Sequence, residues 1–447
     1  MKLGGRIQAA IEVLDDVFEQ HTPAAHALRD WGKAHRFAGS KDRAAIGGIV
    51  FDALRRKSST LWRMDADTDT GLGRPLVFGT MVWGWGETVE TLEAAFADDG
   101  HSPAPLTKTE KTSLAGARDL AMAPDWIRAD IPEWLWPAFE NNFAENAVAE
   151  GEALLVRPPL DLRVNLLKSD RAKALAKLKD MGGVATELAP NGIRIKAGTK
   201  LDRLPNIQSD PVFLTGEVEI QDEGSQIVSL LVDAKPGERV LDYCAGGGGK
   251  TLALAADMKN EGTIFAYDID KRRLAPLYAR ATRAGADNVE VIQPAQKGKN
   301  PEKGGKPGLG KLRGTMDRVL VDAPCTGSGT WRRKPDAKWR LSVATLEVRL
   351  AEQTTVLDQA KQYVRPGGLL FYVTCSLLAE ENEGQIYPFL EDNSDFELLS
   401  AGEVWEDKIG VEKSMPWSED GCTLTMTPAS TNTDGFFFAV MQRKTQA

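Results

Sequence analysis

The sequence predicts an α/β protein whose C-terminal half carries a mostly parallel sheet, preceded by a small α+β module and a helical N-terminal domain. Three observations point there. From residue 216 onward, apolar runs such as Val240-Leu241-Asp242, Val319-Leu320-Val321 and Leu369-Leu370-Phe371-Tyr372-Val373 alternate with helix-length segments. Strands separated by helices join through right-handed crossovers into parallel sheet. The first of these runs leads into Tyr243-Cys244-Ala245-Gly246-Gly247-Gly248-Gly249-Lys250-Thr251, a strand followed by a glycine-rich turn and a helix. Finally, Asp322-Ala323-Pro324-Cys325 and Thr374-Cys375-Ser376 each follow an apolar run, which sets both thiols at the rim where open α/β sheets bind ligands.

In chain order, Ile7, Ile11, Leu14 and Phe18 recur at helical spacing, as do Ile46, Ile49, Val50 and Leu54. Residues 1–105 therefore read as a helical domain, with Trp62, Trp83, Trp85, Leu92 and Phe96 in its core. Between residues 33 and 65, Lys33, Arg36, Lys41, Arg43, Arg55, Arg56, Lys57 and Arg63 outnumber the three acids Asp42, Asp52 and Asp65. Such a cluster serves either as a solvated face or as a surface for an RNA backbone. Pro103 to Lys111 reads as a linker. Residues 120–215 form the small α+β module, with a strand over Leu160 to Asn165, a helix from Arg171 to Met181 stopped by Gly182-Gly183, and a strand over Gly192 to Ile195. Residues 216–447 form the α/β domain, interrupted by a Lys-, Gly- and Pro-rich surface loop from Gln296 to Gly314.

Composition narrows the class. The chain has 447 residues, enough for about three domains, and its 42% apolar and 27% charged content is that of a soluble globular protein. No signal peptide or membrane-length apolar run is read, so the expected location is the cytoplasm, with no membrane partner. Cys244, Cys325, Cys375 and Cys422 form no C-x-x-C pair, so they are read as reduced thiols, and no metal is expected. His21, His26, His35 and His101 all lie in the N-terminal quarter, away from the glycine loop and the cysteines, which argues against a histidine base there. The net charge of −9 speaks against a general polyanion binder, although local patches matter more than the sum.

A strand-to-glycine-to-helix turn lets a nucleotide-like ligand approach bare backbone and free N–H groups. A phosphate-binding P-loop would need glycine at Cys244, and the dinucleotide register is only loosely met. Asp268 ends the strand-like run Thr263 to Tyr267, about twenty residues beyond the glycines, where a carboxylate accepts ribose hydroxyls. The thiols then decide the chemistry. Carbon 5 of cytosine is a poor nucleophile until a thiolate adds to carbon 6, whereupon carbon 5 becomes an enamine able to take a methyl group from a sulfonium. Cys375 suits the attack, Asp322 a hydrogen bond or proton to nitrogen 3, and Cys325 the release of product. Cys244 and Cys422 read as small packing residues. In the DNA cytosine methyltransferase alternative the nucleophile is instead the Pro-Cys thiol, Cys325.

The segments Leu241 to Thr251, Asp322-Ala323-Pro324-Cys325-Thr326-Gly327-Ser328-Gly329 and Thr374-Cys375-Ser376, the last trailed by Glu380-Glu381-Asn382, resemble the signature motifs of the RsmB/Sun family of RNA cytosine-5 methyltransferases. Arg332 to Trp339, Val218 to Asp222 and Asp434 to Ala439 are similar too, and Lys41-Asp42-Arg43 before an apolar helix resembles the family's NusB-like domain. The resemblance covers residues 216–440 strongly, Arg157 to Asn165 moderately and the first hundred residues weakly. It implies a Rossmann-like class I methyltransferase domain that binds S-adenosylmethionine through Cys244, Ala245, Gly246, Gly247, Gly248, Gly249, Lys250, Asp268 and Asp322. It also implies catalysis by Cys375, Cys325 and Asp322, and an RNA substrate, ribosomal RNA ahead of transfer RNA, handled by a monomer. Arg332, Arg333 and Lys334 are expected to meet phosphates. Two departures stand out: Gly246-Gly247 occupies the family's Ala-Pro, and Ala295 stands where a third cofactor-side acid is expected. A catalytically silent RNA-binding assembly factor is the alternative from a different class.

Overall fold

A computed structural model describes all residues except 67–70, 98–99, 201–203, 295–308, 411–415, 417–419 and 446–447. The chain divides into two compact units, one of Met1–Pro158, Ala197–Arg203 and Thr330–Leu341, the other of Pro159–Lys196, Leu204–Gly329 and Ser342–Ala447.

The first unit is helical. Its helices include Leu3–Glu19, Ser40–Arg55, Lys57–Met64 and Gly73–Gly79, the last running into a π-helical turn at Thr80–Gly84. Apolar side chains at helical spacing, among them Ile7, Leu14, Ile46, Ile49, Leu76 and Phe78, are fully buried together, and Trp85, Leu92 and Phe96 join them while Trp62 and Trp83 are half-buried. Part of the expected linker is helix instead. Lys108–Ala115 is helical because Thr107 and Glu110 form a capping box, with Glu110 N donating to Thr107 Oγ1 at 3.1 Å and Thr107 N to Glu110 Oε2 at 2.7 Å. Helices also fill Asp125–Arg128, Trp136–Phe143 and Ala147–Ala153, all in the first unit.

The basic cluster is not one uniform surface. Arg55 is buried, donating from Nε and Nη2 to the Arg332 carbonyl at 2.9 and 2.7 Å, and burial lowers its pKa to about 10. Lys57 packs its ammonium over the Phe18 and Trp339 rings. Arg332, expected to meet phosphate, is buried, whereas Arg333 is half-buried and Lys334 exposed.

In the second unit, strands β1 (Leu160–Val164), β2 (Gly183–Ala185), β3 (Gly192–Ile195) and β4 (Val218–Ile220) make an antiparallel sheet in the order β2-β3-β1-β4. The helix Arg171–Leu178 packs Ala174 and Leu178 against Leu162, Val164 and Ile193, and Gly182 stops the segment in the left-handed region. The larger sheet comprises β5 (Arg239–Asp242), β6 (Thr263–Tyr267), β7 (Val289–Ile292), β8 (Met316–Asp322), β9 (Val364–Thr374), β10 (Phe396–Leu398), β11 (Thr423–Met426) and β12 (Phe436–Arg443). Its order is β10-β12-β9-β8-β5-β6-β7, with β11 on β12. Strands β5 to β9 pair in parallel, and β12 returns antiparallel beside β9.

Both faces of this sheet are covered. Phe371 and Val373 enter one core with Ile227, Leu254 and Leu274, while Leu370 and Tyr372 enter the other with Leu241, Val319 and Phe437. That two-sided burial is why β9 reads as an unbroken apolar run. The chain leaves β5 for β6 and β7 on one side, then crosses to β8 on the other. The crevice beyond the carboxyl ends of β5 and β8 is therefore the topological switch point, where such sheets bind ligands.

Candidate active site

The turn after β5 is shaped by backbone that only glycine tolerates. Gly246 and Gly248 have φ of +50° and +81°, and a Cβ on Gly248 would sit 2.2 Å from Leu277 Cδ1. Gly248 N donates to Ala245 O and Ala245 N to Tyr267 O, both at 2.9 Å, locking the turn to the end of β6. Helix Gly249–Asp257 then starts with its N-terminal amides toward the crevice. Asp268, buried just past β6, accepts from Gly246 N at 3.1 Å and Asp270 N at 2.9 Å, with Arg273 Nη1 at 3.2 Å. Ile269 beside it is 80% exposed, an apolar surface that sequence reasoning did not single out. At the tip of β5, Asp242 accepts from Thr251 Oγ1 at 2.6 Å, while its Oδ1 is buried without a partner among the described residues. Burial pushes the Asp242 carboxyl up to about 7. The Cys244 thiol is also pushed up, first by burial and then by Asp268 and Asp322, so it stays a thiol within the turn.

The cysteine loops converge. Cys325 Sγ and Cys375 Sγ lie 3.4 Å apart, brought together because β8 and β9 are adjacent parallel strands with Asp322 in register with Val373. The Cys325 thiol is pushed well up by its hydrogen bond to Cys375 and by burial, so it stays a thiol. Asp322 Oδ2 accepts from Lys250 Nζ at 2.7 Å, and Lys250 is buried with its ammonium 5.2 Å from the Phe436 ring centre. Burial works against that ammonium, but the Asp322 carboxylate outweighs it and the Lys250 pKa is raised. A lysine expected to bind the cofactor thus bonds the acid expected to contact the pyrimidine.

One buried carboxylate that had no expected role holds both cysteine loops. Glu381 Oε1 accepts from Thr326 N at 2.8 Å and Gln353 Nε2 at 2.9 Å, and Oε2 accepts from Thr326 Oγ1 at 2.5 Å and from Ser376 Oγ. Gln353 also donates to Pro324 O at 2.9 Å. Ser328 Oγ lies 3.0 Å from Ser376 Oγ and accepts from Leu377 N at 2.7 Å. Gly329 and Gly435 touch backbone to backbone, a Cβ on Gly329 falling 2.3 Å from Gly435 O, which accounts for both glycines. Ala295, where an acid is missing, lies outside the described residues.

Together these groups supply what an adenosyl cofactor requires: bare backbone at a helix N-terminus, a carboxylate at a strand tip and an adjacent apolar surface. The thiol pair and Lys250–Asp322 face the same rim.

The chain is similar to known methyltransferases. A family model described as 16S rRNA methyltransferase RsmB/F matches residues 229–442, and one described as the RsmF/B-like ferredoxin-like domain matches residues 131–202. The ribosomal RNA small subunit methyltransferase B of Enterobacter sp. (strain 638) is 33% identical over 418 residues, which span 89% of this chain and 90% of that one. Its counterpart in Sodalis glossinidius is 31% identical over 432 residues, 91% of each chain. Among solved structures, that of PH0851 is similar with a TM-score of 0.71 and 25% identity, covering 99% of this chain and 100% of that one. A methyltransferase homolog from Pyrococcus horikoshii is similar with a TM-score of 0.58 and 28% identity over 73% of this chain and 100% of that one.

Proposed function

Because the chain belongs to the RsmB/F family of methyltransferases, we propose that it moves the methyl group of S-adenosylmethionine to carbon 5 of a cytosine in ribosomal RNA through a covalent intermediate on Cys375. The observation that supports this most is the 3.4 Å contact of Cys325 and Cys375 beside the Lys250–Asp322 pair. S-adenosylmethionine supplies an electrophilic methyl group, held by residues 244–250 and Asp268. The other steps belong to side chains.

Cys375 adds to carbon 6 as a thiolate while the Lys250 ammonium, held by the Asp322 carboxylate, delivers a hydrogen bond or proton to the ring, so that the electron pair pushed out of the 5,6 double bond is retained as an enamine. Carbon 5 would then take the methyl group from the bound sulfonium, whose sulfur would keep the bonding pair as a neutral thioether. Loss of the carbon 5 proton to a base then reforms the double bond and expels Cys375 as a thiolate. Cys325, a thiol in contact with that sulfur, stabilises it by hydrogen bonding as it departs. The target base must leave its stack to reach this crevice.

The substrate assignment follows the relatives, which are named ribosomal RNA small subunit methyltransferase B. We place the activity in the cytoplasm, on ribosomal RNA ahead of transfer RNA, with the protein acting as a monomer. Among the described residues no helix is long and apolar enough to cross a membrane. Trapping on RNA that contains 5-fluorocytosine tests the roles. The adduct should vanish in Cys375→Ala and persist in Cys325→Ala, whereas the opposite pattern exchanges the two cysteines. Bisulfite sequencing of ribosomal RNA from cells with and without the gene should show one cytosine that loses its methyl group, and an unchanged map would remove ribosomal RNA as substrate.

A further inference from the structure

The first unit holds a polar cavity of about 250 Å³ that takes no part in the chemistry above. At roughly 30 Å³ of liquid volume per water, it has room for several waters or one compact ligand group. Three arginines line it, Arg56, Arg63 and Arg128, with Thr80, Trp83 and the acid Glu152. Arg128 is paired with Asp125 at 2.8 Å and Asp119 acts on Arg63, so nearby acids partly offset the three arginines. The Arg63 guanidinium lies 4.3 Å from the Trp83 ring centre, a cation–π stack on the cavity wall.

Two polar atoms there lack partners. Thr80 is 2% exposed, and neither its Oγ1 nor the buried Nε of Arg63 has a hydrogen-bond partner among the described residues. A buried hydroxyl left without a partner is destabilising. Thr80 opens the π-helical turn Thr80–Gly84, a distortion that often marks a functional site. Gly79, just before it, keeps the wall tight, since a Cβ there would fall 2.4 Å from Thr60 Cγ2.

We propose that this cavity binds one unpaired nucleotide of the RNA substrate, with its phosphate between the arginines and the Thr80 hydroxyl and its base on the Arg63–Trp83 stack. Guanidinium groups hold phosphate through paired N–H donors, and planar arginine–aromatic stacks accept bases of any sequence. The cavity is then a positioning site that raises affinity without choosing the target cytosine. This inference rests on the reading that the substrate is RNA, and its test separates the two.

Binding of a short fluorescein-labelled single-stranded RNA to the full chain is measured by anisotropy over a salt series, alongside methylation and thermal melting. Thr80→Val, nearly isosteric, should weaken RNA binding about fivefold to tenfold while leaving the melting temperature unchanged or higher, since an unmet hydroxyl is removed. Arg63→Met should weaken binding by about tenfold and reduce the salt slope by roughly one, with KM for RNA raised and kcat unchanged. Wild-type affinity in both variants overturns the site, as does equal competition by a polyglutamate peptide of matching charge. A wild-type protein that binds RNA with these sensitivities but transfers no methyl group would sink the enzymatic reading and leave the cavity assigned.

Discussion

Glu381 and Asp130 are both fully buried carboxylates, one in each unit, and they solve the burial problem differently. Glu381 is met by neutral donors from separate segments: the amide and hydroxyl of Thr326, the hydroxyl of Ser376 and the amide of Gln353. Asp130 is met by one short segment at the start of helix Lys57–Met64, accepting from Ser58 N at 2.7 Å, Ser59 N at 3.2 Å and Ser59 Oγ at 2.5 Å. It also depends on a counter-charge. Burial raises its pKa against the pull of Lys338, itself fully buried and lowered to about 8. A carboxylate tied to two loops fixes those loops against each other, whereas one tied to a helix start and a buried ammonium fixes the fold. The first should matter to turnover, the second to stability.

The largest effect should follow from breaking the second arrangement. Asp130→Asn removes the negative charge that favours the buried Lys338 ammonium and sets an amide NH2 against the donors Ser58 N, Ser59 N or Ser59 Oγ, which together should cost about 3–5 kcal/mol. Urea unfolding should show that loss while kcat per folded molecule is kept. A stable Asp130→Asn protein with impaired turnover would invert the comparison.

Asp242 is a third buried carboxylate and sharpens the contrast, because one of its oxygens is unmet. Its pKa rises from 3.8 unfolded to about 7 folded, so the native state holds the extra proton between those values. The associated stability is fully present below about pH 4 and lost as pH rises through about 7, amounting to some 2–4 kcal/mol. Asp242→Asn, which cannot ionise, should flatten the dependence of unfolding free energy on pH across that window. An unchanged slope would mean that another group carries it.

Glu381→Gln tests the loop-fixing role directly. Glutamine cannot accept from all four donors, so the loops carrying Cys325 and Cys375 lose their common anchor. Small misplacements of reacting groups cost on the order of 10²-fold in rate, and kcat should fall by about that factor with S-adenosylmethionine affinity unchanged. Equal losses in kcat and cofactor affinity would show a general collapse of the crevice instead.

These three carboxylates also mark what the sequence made legible. Cys325, Cys375, Asp322 and the glycine turn could be read because each sits at the end of an apolar run, and a strand tip delivers its next residues to the rim whatever lies around it. The partners of those residues could not. Glu381 was visible only as part of Glu380-Glu381-Asn382, and nothing local ties it to Gln353 or Thr326, 28 and 55 residues away. The buried position of Arg332 was hidden for the same reason, since it depends on helix Ser40–Arg55. The helix within the expected linker was legible, because Thr107 and Glu110 are the two ends of a capping box. Long-range polar pairing, more than strand or helix formation, was what one sequence could not reveal.

The smallest effect concerns Gly247, where the family resemblance leads one to expect proline. Proline would stiffen the turn covalently, and this chain has none there. Instead Arg280 Nη1 donates to Gly247 O at 2.6 Å while its Nη2 reaches Glu219 Oε2 at 3.0 Å, and Arg283 pairs with the other oxygen of Glu219. The two features are linked sterically, since a Cβ on Gly247 would lie only 3.3 Å from Arg280 Nη1. Arg280 is thus a positioning residue, a noncovalent clamp anchored on β4 of the small sheet. Arg280→Met should raise KM for S-adenosylmethionine about fivefold to tenfold, in line with losing about 1–1.4 kcal/mol of charge-assisted hydrogen bonding, and leave kcat unchanged because the loop still closes at saturating cofactor. Arg280→Lys, which keeps the charge but can reach only one partner, should recover part of that loss. A KM that does not move in Arg280→Met would show that the glycines need no clamp, and that the backbone hydrogen bonds to Ala245 O, Tyr267 O and the Asp268 carboxylate hold the turn.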